Sequence, residues 1–279
     1  MASSEQETHE ASTSLAVAVA QFAPGADTQQ NLATILELAT TAVQRGARLV
    51  VFPEYSSYFV DPVDARFLEH AEPLDGPFTS ALSQLADALE ITIVAGMAER
   101  TDAADRFSNT LVAVGPGAGI LATYRKQHLY DAFGARESDA VLAGELVPPQ
   151  LFDVDDVTVG LQTCYDLRFP ELTRTIVDEG ADLVVVPSEW VRGPLKEYHW
   201  RTLITARAIE NTVFVAASDH VGPIGVGSSI VVDPMGVVLA DAGERPGVAL
   251  AWLSLDRVHE VRRINPTLSL RRYDVVPKA

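Results

Sequence analysis

Cysteine is almost missing from this chain: of 279 residues only Cys164 is one. That scarcity excludes a disulfide within the chain and any zinc centre built on several thiolates. It also makes the cytoplasm the default compartment. Basic residues are few as well, with 21 Lys and Arg against 38 Asp and Glu, a formal net charge of −17 at pH 7. Such an excess of negative charge repels phosphate backbones and anionic lipid, so neither nucleic acid nor a membrane is an expected partner. Long apolar runs are lacking too. Leu15 to Ala20 and Leu183 to Val186 fall well short of the ~20 residues that cross a bilayer. Residues 1–14 are rich in Ser, Thr and Glu and have neither the basic start nor the apolar stretch of a secretory signal. They are expected to form a tail, as are residues 265–279, around one domain over residues 15–264. What is present is ordinary for a globular protein: 47% hydrophobic and 21% charged residues, a composition that argues against a disordered or fibrous chain.

Periodicity and turn residues set out the elements. Leu15 to Phe22 reads as a buried strand stopped by Pro24-Gly25, and apolar residues from Asn31 to Arg45 fall at helical spacing up to Gly46. Leu49 to Phe52 is a second strand, a helix from Phe78 to Leu89 leads into a strand from Ile91 to Met97, and Gly115-Pro116-Gly117 turns a hairpin between Thr110 to Val114 and Ile120 to Tyr124. The text then begins again. Gly180-Ala181-Asp182-Leu183-Val184-Val185-Val186-Pro187 echoes Gly46-Ala47-Arg48-Leu49-Val50-Val51-Phe52-Pro53 at an offset of 134 residues. Around that anchor the order recurs as strand 157–163, helix 171–179, strand 183–186, helix 200–211 and strand 213–217, with a hairpin at Pro234-Met235-Gly236, a strand from Val248 to Leu255 and a closing helix. Two similar halves without a long tether between them predict an α/β fold with two stacked sheets and helices outside, a four-layer α-β-β-α sandwich of two pseudo-symmetric halves.

Ligand sites in such folds lie beyond the carboxyl ends of strands. Glu54, Lys126 and Cys164 each follow a strand there. A thiol nucleophile needs a base and an oxyanion donor, so a cysteine, a carboxylate and an ammonium form a workable set. Taken singly, a strand-end cysteine is more often an inert core thiol, and a strand-end glutamate is usually only solvated. The surrounding text changes that balance. Val51-Phe52-Pro53-Glu54, Tyr124-Arg125-Lys126-Gln127-His128-Leu129 and Cys164-Tyr165-Asp166-Leu167-Arg168-Phe169-Pro170-Glu171-Leu172 occur in this order, followed by Ala206-Arg207-Ala208-Ile209-Glu210-Asn211. Together they resemble the carbon-nitrogen hydrolase (nitrilase) superfamily from about Leu15 to Leu255. The text after the cysteine resembles its amidase branch, which contains omega-amidase and deaminated-glutathione amidase.

The resemblance implies a Glu-Lys-Cys triad with Glu54 as base, Lys126 as oxyanion-binding ammonium and Cys164 as nucleophile, working without metal or organic cofactor. It implies a second glutamate on the loop between lysine and cysteine, for which Glu137 is the match and Glu145 the competitor. The substrate it implies is a small aliphatic or omega-carboxy amide, cleaved to acid and ammonia through a thioester. Nitrile or N-carbamoyl hydrolysis with the same triad, or a non-catalytic member with a redox-sensitive thiol, are the alternatives. Tyr165, His128, Trp190 and Arg192 are the candidates for substrate contact, with Lys196 beside Arg192 on a segment that overhangs the site. Asp166 and Arg168 either hold a substrate carboxylate or form an internal ion pair. The resemblance also implies a homodimer or larger assembly. Other motifs fail. The six histidines lack metal-ligand spacing, Gly115 to Gly119 has no P-loop lysine, and Gly225 to Ser229 is not a serine-hydrolase elbow.

Overall fold

The computed structural model describes residues 14–278; the expected tail over residues 1–13 lies outside them, and Ser14 already opens the first strand. The elements run in the order β1 (Ser14–Gln21), α1 (Thr28–Gln44), β2 (Leu49–Val51), α2 (Pro77–Leu89), β3 (Thr92–Arg100), β4 (Phe107–Gly115) and β5 (Gly119–Arg125) in the first half. The second half contains β6 (Leu151–Val154), β7 (Val157–Leu161), α3 (Pro170–Asp178), β8 (Leu183–Ser188), α4 (Lys196–Asn211), β9 (Phe214–Asp219), β10 (Ile230–Val232), β11 (Val238–Asp241), β12 (Gly247–Ser254) and α5 (Leu255–Ile264).

Two six-stranded sheets result, in the orders β12-β1-β2-β3-β4-β5 and β11-β10-β9-β8-β7-β6. Matching β1 to β7, β2 to β8 and β3 to β9 makes the two orders equivalent, so the repeat read at Gly46 and Gly180 is a repeat of architecture. Two features of these sheets escaped sequence reading. β6 is only four residues long and carries Asp153, too short for a clear alternation. β12 lies at the end of the second half, yet it crosses to the first sheet and pairs antiparallel with β1 from Ser14 against Ser254 to Gln21 against Gly247. Each half's inner strand thus has an antiparallel neighbour on its edge, and the two halves are fastened together.

The strands are apolar on both faces because both faces are covered. Val17, Val19, Leu49 and Val51 meet Val159, Leu161, Leu183 and Val185 between the sheets. Ala18, Ala20, Val50 and Ile93 face outward under Ile35 and Ala39 of α1 and Leu82 and Ala86 of α2. Val184, Val186 and Val215 do the same under Ile176 of α3 and Trp200, Ile204 and Ala208 of α4. This is the four-layer sandwich expected from the repeat. Residues 265–278 form no helix or strand, although Arg271 grips Asp178 of α3 at 2.6 and 2.8 Å.

Stacking the sheets places the carboxyl ends of β2 and β8 at one end of the sandwich, where the chains leaving them meet. The backbone at Glu54 and Tyr55 passes so close to β3 that a Cβ on Gly96 would lie 2.5 Å from the Tyr55 nitrogen and 2.7 Å from the Glu54 Cα. Only glycine fits under that turn.

Candidate active site

A cavity of about 450 Å³ opens above these strand ends, a size suited to a small organic ligand. Glu54, Lys126, Glu137 and Cys164 all line it. Glu54 arrives after β2, Lys126 directly after β5, Glu137 on the loop beyond, and Cys164 three residues after β7. The Lys126 Nζ lies 2.9 Å from Glu54 Oε1 and 2.9 Å from Glu137 Oε2. The three side chains are 1%, 2% and 6% exposed for Glu54, Lys126 and Glu137, so water screens this pair of ion contacts very little. Burial alone would push the ammonium down in pKa; Glu137 and Glu54 outweigh it and hold Lys126 well above the ordinary lysine value.

The carboxylates are themselves held from several sides. The Asn109 Nδ2 donates to Glu54 Oε1 at 2.6 Å and to Glu137 Oε1 at 3.1 Å. The Tyr55 hydroxyl and the Tyr130 N–H donate to Glu137 at 2.8 and 2.6 Å. Burial, then Glu137 and Glu54, push the Tyr55 phenol well up, so it stays a donor. Glu189 joins the halves: its N–H donates to Glu54 Oε2 at 2.7 Å and its carbonyl accepts from the Cys164 thiol at 3.4 Å. His220 fixes the other side of the same turn, with Nε2 2.7 Å from the Glu54 carbonyl. Burial drives this imidazole down to about 4, so at neutral pH it is uncharged and its Nε2–H is the donor.

Cys164 begins a short 3-10 turn, Cys164–Arg168, and has φ of 46°. A non-glycine residue in the left-handed region costs about 1–2 kcal/mol, and such strain persists where surrounding bonds enforce it. Here Thr163 and Asp166 form a capping box around the turn, and the Thr163 hydroxyl donates to the Pro187 carbonyl at 2.7 Å. The thiol is pushed well up by burial and by Glu54, which together outweigh Lys126. It rests as a neutral thiol beside a carboxylate, so a base must take its proton before it can attack.

The model of the carbon-nitrogen hydrolase family matches residues 16–263. The chain belongs to the carbon-nitrogen hydrolase family. A deaminated glutathione amidase of Escherichia coli O157:H7 is 38% identical over 258 residues, covering 92% of this chain and 97% of the relative. Among solved structures, a carbon-nitrogen hydrolase of Helicobacter pylori G27 superposes with a TM-score of 0.85 at 25% identity, covering 93% of this chain and 96% of that one. A double mutant of the amidase from Nesterenkonia sp. AN1, solved in complex with acrylamide, gives a TM-score of 0.77 at 27% identity, covering 92% of this chain and 94% of that one.

In this carbon-nitrogen hydrolase the competing Glu145 is exposed and does not line the cavity, its carbonyl being held by Gln127 Nε2 at 3.1 Å. Of the residues expected to contact substrate, Tyr165 and Trp190 line the cavity and His128 and Arg192 do not. His128 is instead stacked on Phe169 at 3.8 Å and bound to Asp166 at 2.7 Å. Arg192 is exposed and donates to the Gly225 carbonyl at 2.7 Å, so it braces its own loop. The internal ion pair between Asp166 and Arg168 is absent among the described residues. Asp166 is fully buried, takes the Tyr124 hydroxyl at 2.7 Å and braces the nucleophile's turn. Arg168 turns the other way, into the cavity.

Asn109, Tyr55, Tyr130 and Glu189 were not anticipated. Asn109 had a signal, since Ser108-Asn109-Thr110 puts three polar residues into a strand that is buried throughout, and buried amides need partners. Glu189 had one too, standing directly after β8 as Glu54 stands after β2. Among the described residues no cluster of His, Cys, Asp and Glu suits a metal ion, and no helix is long and apolar enough to cross a membrane.

Proposed function

We propose that this chain is an amidase that cleaves the C–N bond of a small aliphatic or omega-carboxy amide through a thioester on Cys164. The observation that carries this reading is the buried Lys126 ammonium between two carboxylates, in the cavity that also holds the only cysteine. In this reading Glu54 takes the thiol proton as Cys164 attacks the amide carbon. The oxyanion forms against Lys126 and the N–H of Tyr165, whose place in the first turn after Cys164 leaves it free of an intrahelical acceptor. Glu54 returns the proton to the departing nitrogen, ammonia leaves from a primary amide, and a thioester remains. Water deprotonated by Glu54 or Glu137 then releases the carboxylic acid. The name of the Escherichia coli relative and the acrylamide complex of the Nesterenkonia amidase both favour amides over nitriles.

The test is ammonia release from a panel of aliphatic amides, omega-amides of dicarboxylic acids, N-carbamoyl compounds and nitriles, with Cys164→Ala as control. Amide turnover that disappears in the variant supports the reading. Turnover of nitriles alone would overturn it.

A further inference from the structure

Lys196 sits in the first turn of α4, 6% exposed, and lines the same cavity as Cys164. Its place is fixed from the backbone outward. Leu195 before it is in the left-handed region at φ of 61°, and the Trp190 Nε1–H donates to the Lys196 carbonyl at 2.9 Å. The ammonium donates to the Tyr130 hydroxyl at 2.9 Å and stands over the rings of Phe133, Tyr130 and Trp190 at 4.4, 4.9 and 5.4 Å. Beside it, the Arg168 guanidinium lies 4.9 Å over Trp190 and 5.7 Å over Phe133, and its Nε is buried without a partner. Among the described residues neither cation has an ion pair with a carboxylate.

Buried cations are normally paired, because taking an ammonium out of water costs more than ring faces return. The carboxylates nearby do not supply the missing charge. Glu54 and Glu137 are engaged by Lys126. Glu189 lines the cavity but makes no ion pair with either cation among the described residues, and burial, with Asp219 and Glu54, pushes its carboxyl well above the usual range, away from the charged form. Asp64 and Asp139, at the mouth, are bound to Arg66 and Arg136, and Asp61 is exposed. A chain with a net charge of −17 has thus left two adjacent cations without anions on one wall of its candidate active site.

We propose that Lys196 is a specificity residue, whose ammonium, with Arg168 beside it, binds a carboxylate carried by the amide substrate. This rests on the amidase reading and narrows it to anionic amides. The aromatic cradle holds the ammonium in place without neutralising it, and the arriving carboxylate completes the pair.

The experiment compares kcat/KM for glutaramate, which carries a carboxylate on the acyl part, for N-butyrylglycine, which carries it on the departing amine, and for neutral butyramide. One of the two anionic amides should exceed butyramide about ten- to hundredfold, the range of a charge-assisted contact, and the preferred one shows which side of the scissile bond faces Lys196. In Lys196→Met that preference should fall at least tenfold, mainly through KM, and Lys196→Arg should restore part of it. No preference in the wild type, or an equal loss for all three amides in Lys196→Met, overturns the proposal. Glutarate titrated calorimetrically into Cys164→Ala, with and without Lys196→Met, reads the site without turnover. Binding that needs Lys196, with no amide cleaved by the wild type, would sink the amidase reading and keep the anion site; no Lys196-dependent binding together with amide turnover would do the reverse.

Discussion

Replacing Lys126 by Met should destabilise the protein by an amount that depends on pH in a defined direction. The variant keeps the volume of the side chain and removes its charge, leaving Glu54 and Glu137 buried on either side of the Asn109 amide, which donates to both at 2.6 and 3.1 Å. Removing one partner of a buried ion cluster costs about 3–5 kcal/mol. At about 2.1 cal/mol/K per residue of unfolding entropy, a chain of 279 residues loses roughly 2 °C of Tm for each kcal/mol, so a drop of about 5–9 °C is expected at pH 8. The sign with pH comes from the two sides of the comparison. In the wild type, Lys126 is held above its unfolded value, so its contribution is complete below about pH 10 and lost only at higher pH, as the folded value is passed. Between pH 5.5 and 8 it is constant. In the variant two carboxylates face each other without a cation, and like charges raise the pKa of one of them. Acidification lets that group take a proton and relieves the repulsion. The stability difference, measured by urea unfolding, should therefore shrink at pH 5.5. His220 titrates in both proteins and cancels. A difference below about 1 kcal/mol at pH 8, or one that grows on acidification, would refute the electrostatic account of this site.

His220 itself makes the wild type acid-sensitive. With its folded pKa lowered to about 4 against about 6.5 unfolded, its neutral form favours folding at neutral pH, and stability falls as pH drops from 6.5 toward 4 by roughly 3 kcal/mol; chemical unfolding should show His220→Gln losing much of that slope. Asn109→Leu removes a donor from both carboxylates, each a charge-assisted contact of about 1.5–3 kcal/mol, and should lower kcat on a cleaved amide about ten- to hundredfold. An unchanged kcat would mean that Lys126 and the Glu189 N–H align Glu54 without Asn109. Because burial and Glu54 hold the Cys164 thiol protonated, its reaction with methyl methanethiosulfonate should rise up to about tenfold per pH unit between 7 and 8.5. A rate already level below pH 7, followed by mass spectrometry, would point to a resting thiolate instead.

Much of this protein is legible along its chain because each property rests on neighbours in sequence. The 134-residue echo at Gly46 and Gly180 fixed two equivalent halves, and apolar runs such as Leu183 to Val186 announced strands covered on both faces. Glu54, Lys126 and Cys164 could be picked out because each follows a strand within a motif that resembles the family, and β2, β5 and β7, though not neighbours, all open toward the one cavity. Glu137 needed the family resemblance, since a loop between strand ends has no periodicity to count.

Other features depend on residues far apart in sequence, and only the tertiary structure decided them. The pairing of β12 with β1 joins positions more than 200 residues apart, and an eight-residue apolar strand reads the same whichever sheet it enters. His128 and Arg192 carry the right chemistry in the right segments, yet Asp166 and the Gly225 carbonyl draw them to other tasks. Lys196 and Arg168 came together for the opposite reason: the 3-10 turn after Cys164 and the first turn of α4 converge on Trp190 and Phe133, so both cations face one cradle. Sequence determines which side chains are available and which strand ends carry them. Whether a charge finds its partner inside the protein is settled by packing, because Coulomb attraction and desolvation depend on distance and burial, and neither can be read from the order of residues.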